Sequence, residues 1–85
     1  MKKMLMSVFD SQMRSFVNPF FIPTVPAAVR SFTDEVNRAD ANNMMYQHPE
    51  DFSLWKLGEL DDETGEFVVE KAEVLKAGDC LIIKE

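Results

Sequence analysis

The sequence predicts an α+β fold in which one helix packs on a small, mainly antiparallel sheet, with the element order β-α-β-β-β. Three observations lead to this prediction. Apolar residues recur at helical spacing in one segment, short apolar runs of strand length flank that segment, and a glycine-containing turn joins two of these runs. The 85 residues contain no linker, repeat or low-complexity tract, so a single domain over residues 1–85 is expected.

The first strand is predicted over residues 3–9, where an apolar run suits a strand buried on both faces. Residues 15–26 hold three prolines and three phenylalanines. Because proline fixes φ and biases the preceding residue toward extended backbone, an extended loop held by aromatic side chains is predicted there.

A helix is predicted over residues 26–40. Its apolar face consists of residues three and four positions apart: Val25, Val29, Phe32, Val36 and Ala39. Thr24 can cap the first turn, and Pro26 fits within it because that turn does not need its N–H. The opposite face carries a row of alternating charge: Arg30, Asp34 and Arg38.

Three further strands are predicted, over residues 52–60, 66–71 and 79–84. In strand 52–60, the alternation of apolar and polar residues changes phase between Leu54 and Trp55, and Gly58 follows. A bulge is therefore expected in this strand. Residues 61–65 form a hairpin loop in which Gly65 takes the left-handed conformation.

Composition excludes several classes of function. Nine basic against fifteen acidic residues give a net charge of −6, which disfavours non-specific coating of a phosphate backbone. One cysteine and one histidine cannot build a disulfide framework or a zinc site, and the glycines are too far apart for a phosphate-binding loop. The apolar run near the N-terminus ends at Asp10 and is too short for a signal peptide or a membrane span. We therefore expect no cofactor, metal or membrane contact.

No residue is predicted to be catalytic. His48 stands beside Pro49 in a polar turn, where a solvated side chain is the ordinary interpretation. Cys80 lies in an apolar segment, and a thiol in such surroundings behaves as a small hydrophobic group with a raised pKa. Adjacent carboxylates such as Asp61 and Asp62 fall in turns, which favours solvation over acid–base chemistry. The protein is not expected to be an enzyme.

The residues present fit a binding surface better than a catalytic site. Phe20 and Phe21 are neighbours in an extended segment and cannot both face inward, so one of them is available to stack on a partner. The other aromatics stand mostly at positions that core packing explains. A chain of this size often gains stability from self-association, so a homodimer is expected, with predicted strand 79–84 as the pairing edge unless Lys84 and Glu85 protect it.

The middle of the chain carries a longer pattern. In order, its parts are Pro19-Phe20-Phe21, the run from Arg30 to Arg38, Asp40 and Asn43, the run from Tyr46 to Phe52, Leu57-Gly58-Glu59, and Asp61, Thr64-Gly65 and Phe67. Over about residues 16–70, this order and spacing resembles the small non-structural protein of gokushoviruses, the single-stranded DNA phages of the Microviridae.

The resemblance implies a replication-associated phage protein that acts in the cytoplasm of the infected bacterial host. It is similar in size and role to the microvirus protein that turns genome replication from double-stranded to single-stranded synthesis, and it brings no catalytic residues with it. Several residues in the matching segment are not needed to explain the fold, so they are candidates for binding. The basic residues are candidates as well. The candidate nucleic-acid- or partner-binding residues are Arg14, Phe20, Phe21, Arg30, Asn37, Arg38 and Tyr46.

Two functions remain open from the sequence. The first is a non-enzymatic replication accessory factor that binds phage or host replication proteins, or single-stranded DNA, and favours progeny-strand synthesis. The acidic charge favours protein contact, unless one face of a dimer concentrates Arg14, Arg30 and Arg38. The second is an interaction module that binds a host or capsid-assembly protein and has no direct role on the genome.

Overall fold

A computed structural model describes residues 1–82. Four strands form one antiparallel sheet in the order β2-β1-β3-β4. The strands are β1 (Lys2–Asp10), β2 (Ser15–Ile22), β3 (Phe52–Asp61) and β4 (Phe67–Lys76). Two helices, α1 (Val25–Val36) and α2 (Met44–Gln47), and two 3₁₀ turns, Pro49–Asp51 and Ala77–Cys80, complete the described part of the chain.

The predicted order β-α-β-β-β is wrong, because a second strand precedes the helix. Much of the segment predicted as a loop, 15–26, is strand β2, in which Phe16 lies opposite Phe9 and Phe20 lies opposite Met6. The extended backbone predicted from the prolines is present, but it forms a strand, even though proline cannot donate a ladder hydrogen bond. Strand β2 is at the edge of the sheet, where an outward-facing position needs no donor, so Pro19 is accommodated.

The predicted last strand, 79–84, is also corrected. Residues 77–80 form a 3₁₀ turn, Leu81 and Ile82 lie outside any strand, and 83–85 fall outside the described residues. The fourth strand arises because the predicted return strand, 66–71, continues to Lys76 along β3. Its second half places charged Glu73 and Lys76 on either side of Val74 and Leu75, so the apolar residues do not alternate regularly; pairing with β3 is what extends the strand.

Local predictions in the hairpin are confirmed. Strand β3 has an extra residue, Leu57, against β1, next to Gly58 as predicted. At Leu54–Trp55 the ladder with β4 also shifts in register, but there the extra residue, Val74, belongs to β4. The loop between β3 and β4 closes with Gly65 at φ 77°, and the Gly65 N–H donates to the Asp61 carbonyl at 2.8 Å.

Helix α1 begins as predicted and ends earlier. The Thr24 hydroxyl accepts a hydrogen bond from the Ala27 N–H at 3.2 Å, and Pro26 lies in the first turn. The helix stops at Val36 instead of residue 40, and Ala39 is exposed rather than part of the apolar face. The buried residues Ala28, Phe32 and Val36 of α1 join the apolar core contributed by the sheet: Met6, Val8 and Leu54. No helix within residues 1–82 is long and apolar enough to span a membrane.

Only one face of the sheet is covered by α1. Because side chains alternate along a strand, the residues next to core positions in β1 and β2 point to the opposite side. We call this side the open face; its apolar residues include Leu5, Phe9, Phe16, Phe21, Trp55, Leu60, Phe67 and Val69.

Candidate functional site

Three aromatic rings from three different strands meet on the open face. The ring centroids of Phe9 and Phe16 are 4.9 Å apart and tilted by 56°, as expected for residues opposite each other in β1 and β2. The Trp55 ring meets Phe16 edge-on at 5.7 Å and 89°, and Phe9 at 6.5 Å. The Trp55 indole N–H donates to the Ser53 hydroxyl at 2.8 Å, which fixes the ring orientation. The cluster is therefore an ordered aromatic surface.

One cation lies over this cluster. The Lys71 ammonium, from β4, is 5.3 Å from the Phe16 ring centroid and 5.5 Å from that of Trp55. Both distances fall within the range of a cation–π contact. The aromatic surface therefore presents a positive charge, although the chain as a whole is acidic.

The apolar surface continues from the cluster to the ends of the strands. Phe21 is 52% exposed, Phe67 is 41% exposed and Val69 is 77% exposed. Gly58 explains how Phe67 packs: a Cβ at this position would lie 2.5 Å from the Phe67 Cζ atom, so only glycine lets the ring lie against β3. Neighbouring exposed apolar side chains of this kind are typical of an interaction surface.

The adjacent phenylalanines divide as the sequence predicts. Phe20 lies opposite Met6 in the β1–β2 ladder and packs against the core. Phe21 lies opposite Leu5, on the open face. Of the two predicted binding residues, the structure makes Phe21 available to a partner, whereas Phe20 stabilises the fold.

The arginines predicted to bind a partner do not lie beside Phe21 on the open face. Arg14 is exposed in the β1–β2 turn with φ 55°, and Arg30 is exposed on α1, which covers the other face of the sheet.

Arg38 forms ion pairs with two carboxylates, Glu35 at 2.7 Å and Asp40 at 3.0 Å. The Arg38 guanidinium lowers the pKa of the Glu35 carboxyl. The pKa of Asp40 is lowered first by the Asn42 backbone N–H and then by Arg38. Arg38 therefore brings little uncompensated charge to a partner.

Asn37 has a structural use that the sequence did not reveal. Its side-chain amide N–H groups donate to the Thr33 carbonyl at 2.8 Å and the Cys80 carbonyl at 2.9 Å, and its oxygen accepts from the Ile82 N–H at 2.8 Å. These bonds attach the end of the described chain to α1. Tyr46, on α2, is 42% exposed and remains a surface residue on the helix side of the sheet.

The potentially reactive groups lie away from the open face. Burial raises the pKa of the Cys80 thiol, which disfavours the reactive thiolate, and the thiol donates to the Ala77 carbonyl at 3.2 Å. His48, Glu50 and Asp51 bring ligand atoms within 4.8 Å of one another, a grouping that the sequence analysis did not single out. Exposed acidic side chains often lie together without an ion, so the grouping assigns no metal.

Comparison with known proteins gives a consistent result. The sequence pattern of the phage ORF5 protein family matches residues 3–80, which extends beyond the segment 16–70 at both ends. Protein ORF5 of Chlamydia phage 1 is 33% identical to this chain over 63 residues. The alignment covers 72% of this chain and 66% of that protein, so the chain spans just under two thirds of its relative's length. No solved structure matches the chain.

Proposed function

This chain belongs to the phage ORF5 protein family, and we propose that it is a non-enzymatic accessory protein of single-stranded DNA genome replication in the infected host cell. The similarity to the protein of Chlamydia phage 1, a gokushovirus of the Microviridae, confirms the resemblance noted from the sequence. In this proposal the protein binds phage or host replication proteins and thereby favours progeny-strand synthesis.

The observation that carries the proposal is the open face. One side of a four-stranded sheet is covered by α1, whereas the other side presents an ordered cluster of Phe9, Phe16 and Trp55. Exposed Phe21 and Val69 extend this surface. Aromatic residues are enriched in protein–protein interfaces, and covering apolar surface is favourable by about 25 cal/mol per Å². A partner protein would therefore find its contact area here.

Charge favours a protein over a nucleic acid as the partner. Affinity for single-stranded DNA depends on basic side chains that follow the phosphates next to stacking aromatics. Lys71 supplies one such charge over the cluster, but Arg30 and Arg38 lie on the helix side of the sheet. The net charge of −6 opposes phosphate contact further.

The test compares substitutions on the open face with a matched substitution elsewhere. Phe21→Ser and Val69→Ser remove exposed apolar side chains from the open face, and Met44→Ser removes one, 56% exposed, from the helix side. The affinity for the purified phage initiator and for host replication proteins is measured by titration. We expect the two open-face variants to lose about tenfold or more in affinity and Met44→Ser to bind like the wild type.

Two other outcomes would contradict the proposal. The same variants are titrated with a labelled single strand of about 20 nucleotides at two salt concentrations. Salt-sensitive binding that Phe21→Ser abolishes would assign the open face to DNA instead of protein. In infected cells, the ratio of single-stranded to double-stranded phage DNA should fall for Phe21→Ser. An unchanged ratio, together with binding to a capsid-assembly or other host protein, would make the chain an interaction module without a genome role.

A further inference from the structure

Lys71 places a positive charge in the interior of the open face. Its side chain starts from β4, but its ammonium lies 5.3 Å from the ring centroid of Phe16, in β2, and 5.5 Å from that of Trp55, in β3. The charge therefore lies within the open face and not at its rim. Val69, two residues before Lys71 in β4, is 77% exposed on the same side of the sheet. A partner that covers both the aromatic cluster and Val69 therefore also covers the Lys71 ammonium.

The Lys71 ammonium has no carboxylate partner within residues 1–82. The lysines of this range that form ion pairs are Lys3 and Lys56. Glu73 faces the same side of the sheet as Lys71, because it lies opposite Trp55, but the two are not paired. Lys71 is an exposed residue, so its charge is stabilised by water on one side and by the aromatic rings on the other.

A partner that covers Lys71 removes this water. A charge taken out of water destabilises a complex unless it is paired and hydrogen-bonded. The aromatic rings attract the cation, but the ammonium has three N–H donors that need acceptors once the water is gone. A purely apolar partner surface would leave these donors unsatisfied. A carboxylate within the partner surface would accept from them and balance the charge.

We propose, on the basis of the function proposed above, that the replication protein binds the open face through an apolar segment that carries a carboxylate side chain, which accepts hydrogen bonds from Lys71. The apolar part of the segment covers the cluster of Phe9, Phe16 and Trp55 and extends to Val69. Lys71 thereby determines specificity, because a lysine or arginine at the same place in a competing protein would be repelled. A single carboxylate matches this single ammonium, whereas a phosphate backbone brings one charge per nucleotide against a net charge of −6.

Two short peptides test the inference without a replication protein. One carries a single aspartate between leucine and phenylalanine residues, and its twin carries asparagine in place of the aspartate. Both lack tryptophan, so the titration follows the emission of Trp55, the single tryptophan of the chain. We expect the aspartate peptide to bind about fivefold or more tightly than its twin, and we expect Lys71→Met to remove this difference. Absent binding, equal binding of the two peptides, or a preference that survives Lys71→Met would overturn the inference.

The sign of the effect of Lys71→Met on binding a replication protein is the second test. This substitution keeps a long apolar side chain and removes the charge. With a carboxylate in the partner surface, the variant should bind about tenfold more weakly, whereas Lys71→Arg should keep most of the affinity. With a purely apolar partner surface, Lys71→Met should bind more tightly, because no charge has to leave water. Unchanged or tighter binding of Lys71→Met contradicts the inference.

The matched control is Lys2→Met. It removes the same charge on the helix side of the sheet, where Lys2 lies opposite Asp61, and it should bind like the wild type. Circular dichroism verifies that each variant is folded. An equal loss of affinity in Lys2→Met and Lys71→Met would overturn the inference, because the effect would then come from the net charge of the chain and not from a contact with Lys71.

The outcomes separate this inference from the proposed function. If Phe21→Ser and Val69→Ser weaken binding to a replication protein but Lys71→Met does not, the open face is the contact surface and its partner has no carboxylate at Lys71. If the aspartate peptide is preferred but no replication protein binds, the selectivity of Lys71 stands and the proposed function fails. Salt-sensitive binding of single-stranded DNA that Lys71→Met abolishes would assign the anion to a phosphate and overturn the inference.

Discussion

At the scale of single residues, Asn43 holds together the segment after α1. Its side chain is 6% exposed and donates to the carbonyls of Glu35 at 2.8 Å and Arg38 at 2.9 Å. Its oxygen accepts from the Met45 N–H at 3.2 Å, which caps α2. One buried amide therefore both closes the first helix and begins the second.

Replacing Asn43 with alanine should lower the free energy of unfolding by about 2–3 kcal/mol, because buried backbone groups lose their partners. Urea unfolding followed by circular dichroism measures this difference. Asn42→Ala, an exposed amide next to it, is the matched control and should change stability by less than about 0.5 kcal/mol. Equal effects of the two substitutions would show that the side-chain bonds of Asn43 contribute little.

Asn37 distinguishes a structural role from a binding role. Its bonds to Thr33, Cys80 and Ile82 predict that Asn37→Ala lowers stability by about 1–3 kcal/mol. The affinity for a partner on the open face should not change, because Asn37 lies on the other side of the sheet. Unfolding and binding titrations of the same variant measure both effects; a stable variant with lost binding would restore Asn37 to the binding site.

At the scale of elements, the β3–β4 hairpin depends on close contact at Gly58. A Cβ there would lie 2.5 Å from the Phe67 ring and 2.5 Å from the Val68 carbonyl oxygen, so β4 itself would have to move. Gly58→Ala should therefore destabilise the protein by about 1–3 kcal/mol in thermal or urea unfolding. Gly78→Ala is the control, because nothing lies within 4 Å of its added Cβ. A neutral Gly58→Ala would mean that the hairpin is wider than the structure shows.

The same hairpin carries an ion-pair network with a defined pH dependence. The Lys56 ammonium contacts Glu59 at 2.8 Å and Glu70, across the strands, at 3.1 Å. Lys56 lowers the pKa of Glu59, so the stabilisation is complete above the ordinary glutamate pKa of about 4.3 and is lost as the pH falls through the lower, folded-state pKa. The pKa of Lys56 is raised, so its contribution persists through neutral pH and is lost only at strongly alkaline pH.

Lys56→Gln should therefore reduce the loss of thermal stability between about pH 6 and pH 3, because Glu59 then lacks the cation that lowers its pKa most. Unfolding temperatures across this range measure the effect. Lys76→Gln, an exposed lysine of the same strand pair, should leave the acid sensitivity of the wild type unchanged. If both variants are as acid-sensitive as the wild type, the network does not contribute.

At the scale of the whole molecule, the chain is elongated, with principal extents of 47 × 27 × 19 Å, and α1 covers one face of the sheet. The buried core is small: Met6, Val8, Ala28, Phe32, Val36, Leu54 and Ala77. Much of the remaining apolar surface lies on the open face and along β4. The architecture therefore leaves apolar surface uncovered on the open face and along β4.

Trp55 can report on binding at the open face. It is the single tryptophan of the chain and lies half-buried in the open-face cluster. When a replication protein covers the open face, acrylamide quenching of Trp55 emission should decrease, and the emission should shift to shorter wavelength because water leaves the ring. A partner that lacks tryptophan keeps the emission specific to Trp55. Unchanged quenching in a saturated complex would place the contact on the helix side.

Local sequence patterns are enough to predict the features that depend on near neighbours in the chain. The Thr24 cap, Pro26 in the first turn, the left-handed Gly65 and the irregularity of β3 follow from local backbone preferences, and each is observed. The resemblance to the phage proteins likewise rests on residue order alone. The remaining features depend on contacts between distant parts of the chain. Pro19 is tolerated only because β2 is at the sheet edge, and β4 reaches Lys76 only because β3 lies beside it. Whether Phe20 or Phe21 is exposed depends on which residues of β1 lie opposite them. Strand pairing joins residues that are far apart in the chain, and no local pattern encodes which face of the resulting sheet the helix will cover.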